Sequence, residues 1–227
     1  MIMANIGFRI MPFAPAPPAA LVRDLARTAT AHLSDNMNRL YSVSAALRPY
    51  HKGGRFAGPA LTVKASPGDN LMVHKAIDIA RPGDVIVVDA AGVLEQAIIG
   101  EIMSALAESR GVAGMVIDGA VRDADALRVS SFPVYARGVT HRGPYKNGPG
   151  EINVPVSIGG LVVNPGDIVV GDDDGLIVLA PDTAQEVLAQ ARAQAEEETA
   201  LLDTIRRGGP VDRSWVDTSL REKGCDF

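Results

Sequence analysis

The sequence contains very little cysteine: Cys225, near the C-terminal end, is the only one among 227 residues. One thiol can build neither an internal disulfide nor a thiolate metal cage, so the chain fits a reducing compartment. Aromatic residues make up only 4% of the chain, and no apolar run approaches the roughly 18 residues of a membrane span. The first 20 residues contain four prolines and an arginine and lack a basic leader region. We therefore expect an irregular N-terminal arm, a cytoplasmic location and no membrane partner.

An excess of positive charge is also missing. Lys and Arg number 22 against 27 Asp and Glu, which gives a formal net charge of −5. Nucleic-acid binding needs clustered basic residues, and the sequence has no such cluster, so a nucleic-acid partner is not expected. The glycine-rich nucleotide loops, the serine-hydrolase elbow and paired histidines at zinc spacing are absent as well. Dinucleotide, ATP, serine-hydrolase and zinc chemistry therefore have no support in the sequence.

What the sequence does contain indicates an α/β protein with many tight turns. Apolar residues make up 47% of the chain, which also carries 23 glycines and 15 prolines. Hydrophobic periodicity predicts one mixed α/β domain over 21–207, which includes a long C-terminal helix, followed by a tail over 208–227. The run Val85–Asp89 is apolar on both faces, so it predicts a strand that is covered on both sides. Further helices are predicted over 21–33, 71–80, 94–110 and from about 183 to 207, and strands near 60–65, 115–117, 134–136, 154–158, 161–163, 168–170 and 176–179.

The pair Arg122-Asp123 is the first candidate for chemistry, because it follows a predicted buried strand and a glycine. Ligands bind at strand ends in α/β folds, where loops converge. A carboxylate is a hard oxygen ligand for Mg²⁺, and an arginine offers a planar fork for a substrate carboxylate. A surface ion pair and a helix N-cap at Asp123 are the structural alternatives, and the pair alone does not decide among the three.

Weaker candidates lie elsewhere. Gly100-Glu101 would let a backbone N–H approach an anion, although an isolated glycine is more often a small residue at a packing contact. His74, beside the turn 67–70, is a weaker candidate for a role in a functional site. The run 172–175 (Asp-Asp-Asp-Gly) is typical of a hairpin turn rather than a calcium loop. The glutamate run 196–198 is typical of a solvated helix face.

Several of these motifs occur together and in a fixed order. They are 67–70 (Pro-Gly-Asp-Asn) with Met72 and His74, Gly100-Glu101, 116–123 (Val-Ile-Asp-Gly-Ala-Val-Arg-Asp), Phe132-Pro133-Val134 and 163–175 (Val-Asn-Pro-Gly-Asp through Asp-Asp-Asp-Gly). Over roughly residues 20–205 the chain resembles the family of the regulator of ribonuclease activity A and the 4-hydroxy-4-methyl-2-oxoglutarate/4-carboxy-4-hydroxy-2-oxoadipate aldolases.

The resemblance implies a compact α/β sandwich of β/β/α type with a C-terminal helical extension, assembled as a homotrimer or homohexamer. It implies that Asp123 binds a divalent cation, Mg²⁺ or Mn²⁺, and that Arg122 binds a 2-keto acid substrate. Gly100, Glu101, Ile102 and Met103 fall on the segment that holds the substrate carboxylate. Glu101, and Glu198 from a neighbouring subunit, fall on acidic positions that reach metal-bound water.

Two functions follow from the resemblance. The first is a lyase: a divalent-metal-dependent class II pyruvate aldolase that cleaves 4-hydroxy-2-oxo dicarboxylic or tricarboxylic acids to pyruvate through a metal-stabilised enolate. Decarboxylation of oxaloacetate is expected as a side activity. The second is a non-catalytic protein that binds an RNA-processing enzyme. The family's ribonuclease regulators lack the acidic set, and its presence here at Glu101 and Glu198 favours the aldolase. The tail after Gly208 departs from the aldolase pattern.

Overall fold

A computed structural model describes residues 5–227 of the chain, so the first four residues of the predicted arm lie outside the described part. The fold is mixed α/β, with one large sheet and helices packed on it, as the sequence predicts. The strands are β1 (Phe8–Ile10), β2 (Arg48–Pro49), β3 (Phe56–Ala65), β4 (Val85–Asp89), β5 (Ala97–Ile99), β6 (Gly114–Val121), β7 (Val134–Val139), β8 (Gly150–Ile152), β9 (Val156–Ile158), β10 (Leu161–Val163), β11 (Ile168–Asp172) and β12 (Gly175–Leu179). The helices are α1 (Ala19–Leu25), α2 (Thr30–Asp35), α3 (Leu71–Ile79), α4 (Glu101–Ser109), α5 (Ala124–Val129), α6 (Ala184–Arg206) and α7 (Ser214–Glu222).

The centre of the large sheet is parallel. Its main path runs β1-β8-β3-β4-β6-β7-β2, and β3, β4, β6 and β7 are parallel to one another. The short strand β5 pairs in parallel with the last residues of β6. Strands β5 and β6 therefore end side by side, and the segments that follow them start at the same edge of the sheet.

Both faces of the central sheet are buried, which confirms the prediction for Val85–Asp89. Ile86 and Val88 of β4 pack in a core layer with α3, α4 and α5. Val85 and Val87 point to the opposite layer, which strands β9 to β12 help to cover. Side chains alternate across a strand, so a strand that is apolar at every position requires cover on both sides.

A second layer lies beside this sheet. The first half of β3 pairs with β11, and β11 pairs with β12 in the hairpin that the Asp-Gly turn predicts. Helices α1, α2 and α6 pack on this hairpin through apolar residues such as Leu25, Leu33 and Leu188. The first half of α6 thus belongs to the core, whereas its second half, from Ala195 to Arg206, has no buried residue.

Two predicted helices differ from the structure. The helix predicted over 94–110 begins only at Glu101, because 97–99 form β5 on the edge of β6. The helix predicted over 21–33 is broken after Leu25, where the Thr28 hydroxyl donates to the carbonyl of Asp24 at 3.0 Å. Such a bond to the preceding turn competes with helix continuation.

The N-terminal arm is not irregular throughout. Residues Phe8–Ile10 form β1, which pairs in parallel with β8, and Arg9 Nε donates to Glu151 Oε1 at 2.8 Å. The prediction failed here because the partner strand, β8, lies about 140 residues away in sequence. At the other end, the predicted tail contains α7, none of whose residues is buried. Among residues 5–227, no helix combines the length and the apolar character of a membrane span.

Candidate functional site

The candidate site lies where β5 and β6 end. Gly100 follows β5 and occupies the N-cap position of α4, whereas Arg122 and Asp123 follow β6 and lead into α5. The Arg122 backbone N–H donates to the carbonyl of Ile99 at 3.0 Å, which joins the two segments. The fold therefore places the two motifs that the sequence singled out next to each other.

Asp123 adopts a backbone conformation that is uncommon for a residue other than glycine. Its φ and ψ are 57° and 42°, in the left-handed region, where Asp and Asn are tolerated better than most residues. Its side chain does not cap α5, the helix that it precedes. Instead Oδ2 accepts a hydrogen bond from the backbone N–H of Glu101 at 3.0 Å. Asp123 therefore occupies the N-cap position of α5, as one alternative from the sequence has it, but its carboxylate faces the start of α4 and does not cap α5.

The ion-pair alternative is also weak. Arg122 Nε lies 3.7 Å from Asp123 Oδ2, too far for a hydrogen bond, and the two side chains are 44% and 41% exposed. Pairs of this kind contribute little to stability in water. Both charged groups remain accessible to a ligand.

Gly100 is required at its position by the close approach of these two side chains. A Cβ on Gly100 would overlap with Asp123 Oδ2 and would lie 2.8 Å from Arg122 Cγ. The backbone of Gly100 is extended, with φ −150°, so the constraint is steric and does not come from the conformational freedom of glycine. Gly100 is thus a small residue at a packing contact, as the alternative from the sequence has it. The side chains that it packs against are those of Arg122 and Asp123, the candidate site residues.

A cleft of about 250 Å³ opens at this edge. Its volume suits a small acid rather than a nucleotide or a drug-sized ligand. Its lining comes from the ends of β5 and β6, from α3 and α4, and from the loop after β7. The lining residues are Asn70, His74, Ile98, Ile99, Gly100, Ile102, Met103, Arg122, Asp123, Gly143, Pro144 and Lys146.

The structure brings together most of the predicted site residues, with two exceptions. Gly100, Ile102, Met103, Arg122 and Asp123 line the cleft. Glu101 contributes its backbone N–H to Asp123, but its side chain is exposed and is not part of the lining.

Glu198 lies on α6, and within this chain it contacts α2 rather than the cleft. Its Oε2 is 2.8 Å from His32 Nε2, and Gln194 donates to its Oε1 at 2.8 Å. These two hydrogen bonds, with that of His32 the larger, lower the pKa of the Glu198 carboxyl. A role for Glu198 in a neighbouring subunit's site remains a prediction.

A larger groove, of about 710 Å³, lies between α1, α2 and α6. Two ion pairs border it: Arg192 Nη2 lies 2.9 Å from Asp24 Oδ2, and His32 contacts Glu198. Arg122 and Asp123, the first candidates from the sequence, lie in the smaller cleft and not in this groove. The cleft at the ends of β5 and β6 is therefore the candidate site.

Sequence reasoning missed the loop after β7 and the residue that holds it. Buried Asp69 accepts hydrogen bonds from the backbone N–H groups of Leu71, Asn147 and Gly148, at 2.9, 2.6 and 3.0 Å. This carboxylate fixes the loop that carries Lys146 against the start of α3. The sequence showed only a turn at 67–70, because two of the three donors lie almost 80 residues away.

Comparison with known proteins gives the relationship. Residues 30–178 match the family described as RraA-like: Aldolase/RraA. The chain belongs to the RraA-like family. It is 42% identical over 191 residues to a protein of Halalkalibacterium halodurans named "Putative 4-hydroxy-4-methyl-2-oxoglutarate aldolase", a match that covers 84% of this chain and 91% of that protein.

Solved structures of similar proteins support the fold. An uncharacterized protein from Pseudomonas syringae matches with a TM-score of 0.78 at 28% identity, over 87% of this chain and 97% of that one. Streptomyces coelicolor RraAS2, described as an unusual member of the RNase ES inhibitor RraA protein family, matches with a TM-score of 0.74 at 30% identity, over 82% and 97%. The similar proteins thus include one named as an aldolase and one described as a member of a ribonuclease-inhibitor family, which are the two functions that the resemblance in sequence implies.

The residues of the RraA-like cleft fit a hard divalent cation. Within residues 5–227, no three His, Cys, Asp or Glu side chains come together as a complete metal site. Mg²⁺ does not need one, since it keeps several waters and uses one or two protein carboxylates with oxygen atoms of the substrate. Asp123 provides one half-exposed carboxylate, and Glu101 follows Gly100 directly. This donor chemistry fits Mg²⁺ or Mn²⁺ rather than zinc, which prefers His and Cys.

Proposed function

We propose that the protein is a divalent-metal-dependent lyase that cleaves the C3–C4 bond of 4-hydroxy-2-oxo dicarboxylic or tricarboxylic acids and releases pyruvate. One observation carries this proposal: a half-exposed carboxylate and guanidinium share a small cleft with the first turn of α4, and a glycine makes that arrangement sterically possible. The resemblance to the Halalkalibacterium protein supports the substrate class.

The start of α4 would bind the C1 carboxylate of the substrate. The first N–H groups of a helix have no acceptor within the helix, and the helix dipole favours an anion there. The N–H of Glu101 already binds Asp123, so those of Ile102 and Met103 are the groups that we assign to the substrate. Arg122 would lie beside the C2 ketone.

Bond cleavage moves the C3–C4 electron pair toward the ketone oxygen and leaves the enolate of pyruvate. Arg122 stabilises the negative charge that develops on this oxygen, as a preorganised cation does in other enzymes. A Mg²⁺ or Mn²⁺ ion held by Asp123 supplies Lewis-acid stabilisation of the same charge when it is bound. We assign Glu101, with Glu198 of a neighbouring subunit, to accept the proton of the C4 hydroxyl through a water molecule. This assignment requires an assembly such as a homotrimer or homohexamer.

The proposal is tested by the release of pyruvate from 4-hydroxy-4-methyl-2-oxoglutarate and from oxaloacetate, with Mg²⁺, with Mn²⁺ and with EDTA. The wild-type protein should release pyruvate from both compounds, and EDTA should abolish the activity. Asp123→Asn keeps the shape of the side chain and tolerates the left-handed backbone, so it should remove activity without unfolding the chain. Asp125→Asn, an exposed neighbour on α5, is the matched control. Full activity in Asp123→Asn would refute the assignment.

The second candidate is a non-catalytic regulator that binds an RNA-processing enzyme. The similarity to Streptomyces coelicolor RraAS2 favours it. It predicts no pyruvate release with any metal, together with a stable complex between this chain and an RNase E-type enzyme that sedimentation or calorimetry would detect. The oxaloacetate assay with and without EDTA separates the two functions directly.

A further inference from the structure

One glutamate of the Glu-Glu-Glu run on α6 differs from the other two. Glu198 Oε2 lies 2.8 Å from His32 Nε2, and Gln194 Nε2 donates to Glu198 Oε1 at 2.8 Å. Since the acceptor is a carboxylate, the His32 ring donates through Nε2. Within residues 5–227, the side chains of Glu196 and Glu197 make no hydrogen bond and no ion pair. Of the three glutamates, Glu198 is therefore the one that is held in a fixed orientation.

The two donors to Glu198 are themselves fixed by the end of α2. Asn36 donates through Nδ2 to the carbonyl of His32 at 2.8 Å and to Gln194 Oε1 at 2.7 Å. The Gln194 amide is thereby oriented with its nitrogen toward Glu198. The side chain of His32 is mostly buried, whereas that of Glu198 is half-exposed. Each oxygen of the Glu198 carboxylate keeps a lone pair for a further donor, so the group is oriented and remains available to a water molecule.

Glu198 shares one face of α6 with an apolar stripe. Leu201, Leu202 and Ile205 follow it at the spacings i+3, i+4 and i+7, which lie on one side of a helix. Each of these three side chains is about half exposed, and they belong to the second half of α6, which has no buried residue. An apolar stripe on a helix that extends beyond the core is typical of a surface that packs on a partner. A partner that covers this stripe also meets Glu198.

The rim of the cleft carries exposed apolar side chains that fit such a stripe. Ile102 lines the cleft and is exposed, and Leu106, one turn later on α4, is exposed as well. Two neighbours of cleft residues, Leu71 at the start of α3 and Tyr145 on the loop after β7, add to this apolar rim. A second copy of the chain that packs its α6 stripe on the rim would bring its Glu198 to the opening of the cleft, as the proposed function requires.

We propose that His32 is a positioning residue, which sets the orientation in which Glu198 enters the cleft of a neighbouring copy. The inference rests on the proposed function, in which Glu198 helps to accept the proton of the C4 hydroxyl through a water molecule. A proton acceptor must point at its donor, and an exposed glutamate without fixed partners samples several rotamers. The hydrogen bonds from His32, and then from Gln194, also lower the pKa of Glu198, so its carboxylate stays ionised and able to accept.

The kinetics of three variants test this role. His32→Leu should lower kcat for 4-hydroxy-4-methyl-2-oxoglutarate by about 10- to 100-fold, as the loss of an orienting hydrogen bond does at other sites, and should leave KM within about twofold. His32→Gln places an amide N–H near the position of Nε2 and should recover most of the loss, which a merely structural role would not predict. Glu197→Gln, at the adjacent exposed position, is the control and should match the wild-type protein. Wild-type kcat in His32→Leu would overturn the proposal.

A double variant separates positioning from a direct role. A residue that acts only through Glu198 has no carboxylate left to position in Glu198→Gln. The combined variant His32→Leu/Glu198→Gln should therefore be no slower than Glu198→Gln alone. Losses that multiply would show that His32 acts independently of Glu198, and they would overturn the proposal.

Mixed assemblies test whether His32 and Glu198 act from the same chain on a neighbour's cleft. When His32→Leu and Asp123→Asn chains are coexpressed in equal amounts, half of the clefts are intact and half of the neighbours supply an intact His32 and Glu198. About a quarter of the wild-type activity should therefore return. A mixture of His32→Leu and Glu198→Gln contains no intact pair and should show no more activity than the mean of the two variants alone. No recovery in the first mixture would overturn the proposal.

The proposed function and the role of His32 fail in different ways. If the wild-type protein releases no pyruvate, the aldolase function fails, and the role of His32 fails with it. If the wild-type protein releases pyruvate and Glu198→Gln is impaired but His32→Leu is not, the aldolase function stands and the positioning role alone fails. Pyruvate release that is slowed by His32→Leu, restored by His32→Gln and recovered in the first mixture supports both.

Discussion

Replacement of Gly100 by alanine would test how closely the site depends on steric fit. The added Cβ would overlap with Asp123 Oδ2 and lie 2.8 Å from Arg122 Cγ and 3.2 Å from Arg122 Nε. To restore ordinary van der Waals contact, the carboxylate must move by about 1 Å and the arginine by somewhat less. Alanine adopts the extended backbone of Gly100 without strain, so the fold itself has no reason to change.

The expected loss is large in activity and small in stability. A misplacement of about 1 Å in a catalytic group costs about 100-fold in rate, or about 2.7 kcal/mol of transition-state stabilisation. Both displaced side chains are more than 40% exposed and can move toward solvent. The free energy of unfolding should therefore fall by less than about 1 kcal/mol, within the range of substitutions outside the core.

Two measurements decide the outcome: kcat/KM for 4-hydroxy-4-methyl-2-oxoglutarate, and the unfolding midpoint in urea. Gly138→Ala is the control, because its Cβ would lie 3.3 Å from the Cδ2 of Leu94, a side chain that is 45% exposed and can yield. The control should match the wild-type protein in both measurements. Unchanged kcat/KM in Gly100→Ala would refute the steric argument, and so would a collapse in stability, because the half-exposed side chains would then not have yielded.

Two further predictions concern the framework around the site. The Asp69 carboxylate accepts three backbone N–H bonds, and Asp69→Asn replaces it by an amide that presents a donor to one of these N–H groups. The variant should therefore lower the free energy of unfolding, measured by urea denaturation, by about 2–3 kcal/mol. An unchanged midpoint would contradict the structural role of Asp69. The hydrogen bond from Arg9, and then that from the Gly7 N–H, lower the pKa of Glu151 in the folded chain. The stabilisation of β1 should therefore be complete above the unfolded pKa of about 4.3 and be lost as pH falls through the lower folded pKa. The hydrogen-exchange protection factors of residues 8–10, taken relative to an unstructured chain at the same pH, should fall over that range, and Glu151→Gln should remove this dependence on pH.

The sequence predicts those structural features that depend on residues close together in the chain, and it fails for those that depend on distant residues. Val85–Asp89 and the Asp-Gly hairpin at 174–175 were predicted correctly, because alternation and turn chemistry are local signals. The 94–110 helix was predicted about seven residues too long, since Ala97, Ile98 and Ile99 fit an apolar helix face as well as they fit a strand. What makes them a strand is the neighbouring edge of β6, together with the hydrogen bond from Ala97 N–H to the carbonyl of Arg142 at 2.8 Å.

That error matters most at the site. In the predicted helix 94–110, Gly100 would be an interior residue, and the N–H groups after it would be hydrogen-bonded within the helix. In the structure Gly100 precedes the first turn of α4, whose N–H groups have no acceptor within the helix. The position of Arg122 and Asp123 directly after a strand was predicted, but their proximity to Gly100 was not predictable from spacing. Lys146 gave no signal of its own, because its place in the cleft depends on hydrogen bonds to Asp69 and Asn70.

The site divides into a rigid part and a mobile part, and this division bears on how it would work. The rigid part is backbone: the first turn of α4, the joined ends of β5 and β6, and the loop that Asp69 holds. The charged groups, Arg122, Asp123 and Lys146, are at least partly exposed and can change rotamer. Backbone donors cost no conformational entropy when a ligand binds, whereas the long side chains of Arg and Lys do. A small acid that binds the backbone donors at the start of α4 would therefore lose conformational entropy mainly in ordering Arg122.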